Sequence, residues 1–224
     1  MTESKCRYHG IMDPPQYDGV IHMIIPHHPA LLRTVIEFVP DTPSRILELG
    51  CGTGILTAML RATFPGAETT GLDISGEMLA LASEKPELAG TRFIEGDIRG
   101  EWPDGMYDAI ISTLCLHHIS RDERSEVIRR AAGALNPGGR FIYGDIFRAE
   151  QDWEDALLMD GWRKAMRTAG APEEVIVEMT AQRKERAPML STMPWAREQM
   201  YNAGFTWVMD VFCAGFVGLL VGIR

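Results

Sequence analysis

Short apolar runs alternate with amphipathic segments along the chain. The run at residues 46–49 is apolar except for Glu48, which is typical of a strand buried in a parallel sheet. Strands are predicted at residues 45–49, 68–72, 91–95, 107–112, 140–145, 205–211 and 215–223. Helices are predicted at residues 30–39, 55–62, 75–83, 121–135, 152–168, 172–186 and 194–203. This alternation predicts an α/β fold with helices on both faces of the sheet.

A glycine-rich turn, G-C-G-T-G at residues 50–54, joins the strand at 45–49 to the helix that follows. Glycines permit a tight turn and a close approach of a ligand to the backbone, while a helix N-terminus offers unpaired N–H groups. This layout predicts a nucleotide-cofactor site. A dinucleotide fingerprint would require a glycine where Ile55 stands, so a nicotinamide-dependent dehydrogenase is the less favoured alternative.

Asp73 directly follows the strand predicted at residues 68–72. A carboxylate at the tip of this second strand can accept hydrogen bonds from both hydroxyl groups of a ribose. Doubly wound sheets bind their ligands beyond the carboxyl ends of the strands. We therefore expect Asp73 and Gly52 to lie close together on either side of one cofactor.

Together with Glu48 and Leu49, the glycine turn resembles motif I of the class I S-adenosylmethionine-dependent methyltransferases. E-G-D-I at residues 95–98, L-H-H at 116–118 and L-N-P-G-G at 135–139 are similar to later motifs of that family and stand in the same order. The resemblance implies a Rossmann-like, seven-stranded, mostly parallel sheet with an antiparallel last strand. It also implies S-adenosylmethionine as the cofactor and S-adenosylhomocysteine as its product.

The family resemblance implies a cofactor site built from strand ends and the turns after them. Glu48 would lie near the amino acid part of the cofactor, and Asp97 would bind the adenine amino group. For Asp97 a turn-stabilising role is the alternative. The turn at residues 115–118 would border the methyl group. The implied cofactor-binding residues are Tyr17, Glu48, Gly50, Cys51, Gly52, Thr53, Gly54, Asp73, Ile74, Met78, Asp97, Ile98, Ser112 and Thr113.

Residues 1–40 are predicted to form an N-terminal arm and a helical lid across the cofactor. Pro29 can open the lid helix at its first turn. The segment resembles a Y-D…I-P-x-Y pattern found in a subset of the family, with His28 in place of the tyrosine. Tyr17 is a candidate to cap the cofactor, and packing against the lid helix is the alternative.

The rest of this single predicted domain divides into three parts. A cofactor-binding core at residues 41–148 is followed by a helical insertion at 149–200, assigned to substrate recognition, and by terminal strands at 201–224. Tyr17, His117 and Asp145 are the candidates to orient or deprotonate an acceptor. A capping or packing role is the alternative for His117. No metal is predicted, because the histidines and cysteines lack the spacing of known ligand sets.

Within the superfamily the chain resembles the branch that contains carboxy-S-adenosylmethionine synthases, which act in tRNA wobble-uridine modification. Q-R-K at residues 182–184 and M-L-S-T at 189–192 carry this resemblance. It implies that Arg183 or Arg186 holds an extra carboxylate, and His28 joins them as a substrate-binding candidate. The ordinary G-C-G-T-G turn favours plain methyl transfer instead. A non-catalytic binding module is a further alternative.

The composition and net charge of the chain limit the kinds of partner that can be expected. The 224 residues carry a formal net charge of −9, which provides no overall attraction to nucleic acid and makes DNA an unexpected partner. The expected partners are a small-molecule or RNA acceptor and a second copy of the chain in a homodimer, without a membrane. Four scattered cysteines and the absence of an 18-residue apolar span predict a cytoplasmic protein. The arginines at 121, 124, 129 and 130 are predicted to form a solvated helix face.

Overall fold

The computed structural model describes residues 13–224, so most of the predicted N-terminal arm lies outside the described residues. The strands are β1 (Arg45–Leu49), β2 (Glu68–Asp73), β3 (Arg92–Glu95), β4 (Tyr107–Thr113), β5 (Leu135–Ile146), β6 (Trp207–Ala214) and β7 (Val217–Ile223). The α-helices are α1 (Tyr17–Ile24), α2 (His28–Glu37), α3 (Ile55–Thr63), α4 (Gly76–Glu84), α5 (Arg121–Ala134), α6 (Asp152–Thr168), α7 (Glu173–Arg186) and α8 (Met193–Asn202). None of these helices is both long and apolar enough to cross a bilayer.

The strands form one seven-stranded sheet in the order β3-β2-β1-β4-β5-β7-β6. Strands β1 to β5 pair in parallel, and β7 is antiparallel to both β5 and β6. The predicted fold class is therefore confirmed. Because β6 runs in the same direction as β5, the turn between β6 and β7 lies at the sheet edge where the parallel strands end.

Alternate residues of the central strands belong to two different hydrophobic clusters. In β1, Ile46 packs with residues of α2 and α3, whereas Leu47 packs with residues of α5. This is the expected consequence of a strand whose successive side chains point to opposite faces. Glu48 shares the face of Ile46, and its side chain bonds to Thr57 of α3. The polar interruption in the β1 run is thus a buried carboxyl beneath a helix.

The start of β5 differs from the prediction. The L-N-P-G-G segment was expected to be a turn before the strand, but Leu135 already pairs with Tyr107 of β4. The pairing register then shifts before Ala109, so the segment forms an irregularity inside the strand. Gly139 fits here because an added Cβ would lie 3.1 Å from the carbonyl oxygen of Tyr107.

The arginine face predicted for α5 is wrong at one position. Arg129 is exposed, but Arg124 is among the largest fully buried side chains, with 1% of its surface accessible. Its guanidinium donates to the carbonyl oxygens of Leu116 and Ile119 and to Ser191 Oγ at 2.6–3.0 Å. Arg124 is buried because α5 turns it beneath the segment at residues 187–191, whose polar groups it satisfies.

Helices α1 and α2 form the predicted lid, and the second helix begins two residues earlier than expected. Asp18 ties α1 to the glycine turn and to α4, accepting hydrogen bonds from Thr53 Oγ1 at 2.5 Å and from Lys85 Nζ at 2.6 Å. At the other end of α1, the Trp162 indole N–H donates to the Ile24 carbonyl at 2.6 Å. The lid is therefore bonded both to the core and to α6.

Candidate functional site

A cavity opens where β1, β2 and β4 end, beneath the lid. It brings together most of the residues predicted for the cofactor and one predicted for the substrate. These residues are Tyr17, His28, Glu48, Gly50, Cys51, Gly52, Thr53, Asp73, Ile74, Met78, Asp97, Ile98 and Thr113. The turn predicted to border the methyl group contributes Cys115 and His118.

Sequence reasoning missed several lining residues. They are Leu32, Ile55, Leu56, Arg99, Leu114 and Ile119. Five of these are apolar side chains that no local pattern distinguishes from ordinary core positions. Arg99 could have been anticipated, because a basic residue two positions after an aspartate in a turn can bind its carboxylate.

Some predicted residues lie outside this lining. Gly54 is packed against Leu88 and Ala82, and an added Cβ there would lie 2.5 Å from Leu88 Cδ1. The Ser112 hydroxyl is fully buried and donates to the Leu49 carbonyl at 3.2 Å. Ser112 therefore joins β4 to β1, whereas Thr113, which was also predicted, lines the cavity.

Gly50 and Gly52 serve the turn in different ways. Both have positive φ angles, +75° and +53°, which favour glycine. An added Cβ on Gly50 would lie 2.3 Å from Cys115 Sγ, so protein packing requires this glycine. An added Cβ on Gly52 would meet nothing within 4 Å, although Gly52 lines the cavity. Open space next to the backbone is where a ligand can approach closely.

Asp73 lies directly against the glycine turn. Its Oδ2 accepts the Gly52 backbone N–H at 2.7 Å, and its Oδ1 accepts the Ser75 N–H at 2.9 Å. Each carboxylate oxygen has a second lone pair, so the group can accept two further hydrogen bonds. Burial raises the pKa of Asp73, and the backbone N–H groups of Ser75, Gly52 and Ile74 act in the opposite direction. The expected proximity of Asp73 and Gly52 is confirmed.

Glu48 is a buried acid in the wall of the cavity. The Thr57 hydroxyl donates to its Oε2 at 2.5 Å, and only 1% of the residue surface is accessible. Burial raises the pKa of Glu48 from 4.5 to about 8, and the nearby Asp73 charge adds to the effect. The folded protein therefore holds a proton that the unfolded chain has lost. Between pH 4.5 and about pH 8, the contribution of Glu48 to the free energy of unfolding therefore falls as the pH rises.

Asp97 both lines the cavity and stabilises its own turn. The Arg99 backbone N–H donates to Asp97 Oδ1 at 2.9 Å, and the Arg99 guanidinium binds the same carboxylate. These bonds with Arg99 lower the pKa of Asp97. Arg99 also contacts Glu123 at 2.8 Å. The turn-stabilising alternative for Asp97 is thus observed, while its predicted contact with adenine stays a prediction.

His117 and Asp145 form a buried pair beside the cavity. The His117 backbone N–H donates to Asp145 Oδ2 at 2.9 Å, and His117 Nδ1 lies 2.5 Å from Asp145 Oδ1. Neither residue is part of the cavity lining, but the adjacent His118 is, and its ring centroid lies 4.0 Å from that of His117. The pair holds the histidine ring in one orientation.

The two arginines predicted for substrate binding differ in their surroundings. The structure does not bring Arg183 to the cavity; its guanidinium binds Asp155 at 2.8 Å and lies over the Phe216 ring at 4.3 Å. Arg186 is closer to the cavity, because its Nη1 lies 3.1 Å from His118 Nδ1. Burial lowers the pKa of His118, which leaves this ring neutral and able to accept a hydrogen bond.

The arrangement suits a ligand that carries hydroxyl groups. Glu48, Asp73 and Asp97 line the cavity, and the arginine among its described lining residues, Arg99, is already paired with acids. Burial lowers the pKa of His28 to about 4, so this histidine adds no charge near neutral pH. The remaining acceptor capacity of Asp73 and the open space at Gly52 fit a ligand that carries a ribose. In residues 13–224, no group of three or more histidine, cysteine or acidic side chains is placed to hold a metal.

Comparison with known proteins agrees with this reading of the fold. Residues 46–139 match a family model described as a methyltransferase domain. Demethylmenaquinone methyltransferase from Thermus thermophilus is 39% identical over 115 residues, which cover 49% of this chain and 50% of that protein. The chain therefore matches half the length of this curated relative.

Two solved structures share the architecture. An O-methyltransferase family protein from Burkholderia thailandensis superposes with a TM-score of 0.70 at 19% identity, covering 96% of this chain and 60% of that one. Magnesium protoporphyrin IX methyltransferase from Synechocystis, solved with bound S-adenosylmethionine, gives 0.58 at 20% identity, covering 93% and 83%.

The chain has the methyltransferase fold, and the matches agree with a methyltransferase domain at residues 46–139. The finer resemblance to the carboxy-S-adenosylmethionine synthase branch is not confirmed by them.

Proposed function

We propose that this protein is an S-adenosylmethionine-dependent methyltransferase. The observation that carries the proposal is the contact at 2.7 Å between the Gly52 N–H and the Asp73 carboxylate, at the rim of a cavity with open space beside the glycine. The buried Glu48 carboxyl in the same wall adds a hydrogen-bonding group for the ligand. Relatives named as methyltransferases and a similar structure with bound S-adenosylmethionine support the same assignment.

In this proposal the chain contributes binding and alignment. Asp73 would accept the ribose hydroxyls, Glu48 would face the amino acid part of the cofactor, and Gly52 would leave room for it. The sulfonium of the bound cofactor supplies an already activated methyl group. The protein's task is then to hold an acceptor in line with that group, and positioning of this kind can contribute about 7–11 kcal/mol.

The His117–Asp145 pair is the proposed means of orienting or deprotonating the acceptor. If Asp145 accepts the Nδ1–H of His117, the other ring nitrogen, Nε2, is left as a proton acceptor. Tyr17 lines the cavity, and burial raises its pKa, so its hydroxyl stays protonated near neutral pH. Tyr17 would therefore position a ligand by hydrogen bonding rather than act as a base.

Isothermal titration with S-adenosylmethionine, S-adenosylhomocysteine and reduced nicotinamide dinucleotide tests the assignment. We expect saturable binding of the first two and none of the third. A folded protein that binds neither adenosyl compound would defeat the proposal. Methyl transfer is then tested by the release of S-adenosylhomocysteine in the presence of acceptor panels; binding without release across broad panels would favour a non-catalytic module.

The carboxylated cofactor is tested separately, by mass spectrometry of small molecules that copurify with the protein. We expect unmodified S-adenosylmethionine or S-adenosylhomocysteine, because Arg183 is already bound to Asp155 at 2.8 Å and lies outside the cavity lining. A copurified cofactor heavier by one carboxyl group would instead identify a carboxy-S-adenosylmethionine synthase.

A further inference from the structure

A second cavity, of about 250 Å³, lies between α6, the connection from α1 to α2, and the turn from β6 to β7. Its described lining is almost entirely apolar. The lining residues are Ile25, Pro26, His27, Leu157, Leu158, Gly161, Trp162, Ala165, Ala214, Gly215, Phe216 and Val217. Among them, His27 has the titratable side chain, and the Trp162 indole N–H is already bonded to Ile24.

This apolar cavity is adjacent to the cofactor cavity. His27 lines the apolar cavity and the next residue, His28, lines the cofactor cavity. The β6–β7 turn also lies at the sheet edge where the parallel strands end. There the Phe216 carbonyl accepts the Phe147 N–H at 2.7 Å, two residues beyond Asp145 of the His117 pair. The apolar cavity therefore lies next to the cofactor cavity, near the end of β5.

The size and lining of the cavity indicate what it can hold. An apolar cavity of about 150 Å³ in another protein binds benzene. A volume of about 250 Å³ accommodates a larger apolar group, such as a bicyclic aromatic ring or a medium-length alkyl chain. No arginine or lysine is among its described lining residues, and the chain carries a net charge of −9, so a polyanionic RNA is disfavoured.

We propose that this cavity receives the apolar part of the methyl acceptor, and that the acceptor is a small amphipathic molecule with an aromatic or alkyl group. The inference rests on the proposed methyltransferase function and narrows its substrate class. The nucleophilic end of such a molecule would be directed toward the cofactor cavity, past the segment that carries His27 and His28.

A matched pair of glycine substitutions tests the proposal. Gly161 of α6 lines the cavity, and an added Cβ there meets nothing within 4 Å, so Gly161→Leu places an apolar side chain at the cavity with room for its first carbon. Gly133 of α5 also has open space at its Cβ and lies outside this lining, so Gly133→Leu is the control. Each change replaces an exposed glycine within a helix, and neither is expected to impair folding.

The probe is 2-naphthol, titrated into the protein with S-adenosylhomocysteine present. We expect saturable binding to the wild type and to Gly133→Leu, and about tenfold or more weaker binding to Gly161→Leu because the site is overpacked. Affinity for S-adenosylhomocysteine should be equal in all three proteins. No naphthol binding to the wild type, or equal binding to Gly161→Leu, would overturn the inference.

Methyl transfer from labelled S-adenosylmethionine is then compared between a panel of phenols and carboxylic acids with apolar groups and total RNA. Label in the small molecules supports the inference, and label in the RNA overturns it. If the wild type does not bind S-adenosylmethionine, the proposed function itself is wrong. The cofactor titration shows this independently of the naphthol titration.

Discussion

Replacement of Asp73 by alanine is the most informative perturbation of the cofactor site. The carboxylate accepts the backbone N–H groups of Gly52 and Ser75 at 2.7 Å and 2.9 Å, and it retains two acceptor positions for ligand hydroxyls. The substitution removes all four interactions without adding bulk. Its effects on stability and on binding can therefore be separated.

The magnitude follows from the number of bonds lost. A hydrogen bond to a charged group contributes about 1.5–3 kcal/mol, so two lost bonds to ribose hydroxyls weaken binding by about 3–6 kcal/mol, or about 10²- to 10⁴-fold in Kd. The two backbone N–H groups left without an acceptor lower the free energy of unfolding by about 1–3 kcal/mol each. Removal of a buried carboxylate, whose pKa burial raises, offsets part of this second loss.

Isothermal titration with S-adenosylhomocysteine measures the binding, and urea unfolding measures the stability. The control is Glu77→Ala, which removes an exposed carboxylate in the first turn of α4, four residues from Asp73. We expect the control to bind like the wild type. If a folded Asp73→Ala variant also binds like the wild type, Asp73 does not hold the ribose and the proposed binding mode is wrong.

Three further predictions concern stability, each measured by urea unfolding. Glu48→Gln should flatten the fall in the free energy of unfolding between about pH 5 and pH 8, because burial raises the pKa of Glu48 to about 8; an unchanged slope would contradict this. Gly50→Ala should destabilise the protein by about 2–5 kcal/mol through its positive φ angle and the clash with Cys115, and wild-type stability would refute that packing. Arg124→Met should lower the free energy of unfolding by about 3–5 kcal/mol, because it leaves buried carbonyl groups unpaired. Arg129→Met, on the exposed side of α5, should change that free energy by less than about 0.5 kcal/mol. Equal effects of the two changes would contradict the prediction.

The parts of the fold that local patterns specify were predicted well. All seven strands were predicted, and the signal is clearest for central strands such as β1 and β4, because strands buried on both faces leave a continuous apolar run. The glycine turn and Asp73 were predicted to lie together because the carboxyl ends of parallel strands meet at one edge of a sheet, and their hydrogen bond confirms this.

Other features depend on contacts between distant segments. Arg124 stands among polar residues on α5, and its burial depends on Ser191, 67 positions later. Ser112 lies outside the cavity lining because its hydroxyl bonds to Leu49 on a neighbouring strand. The pairing of Arg183 with Asp155 likewise depends on how α6 packs against α7.

By itself, the sequence determined the class of the fold and the position of the glycine turn, because glycine spacing and strand periodicity act over a few residues. Only the tertiary structure decided which polar groups are buried and what they contact. It paired His117 with Asp145 and formed the apolar cavity from α6, the lid connection and the β6–β7 turn. The physical reason is that burial and cavity shape arise when segments far apart in the chain pack together.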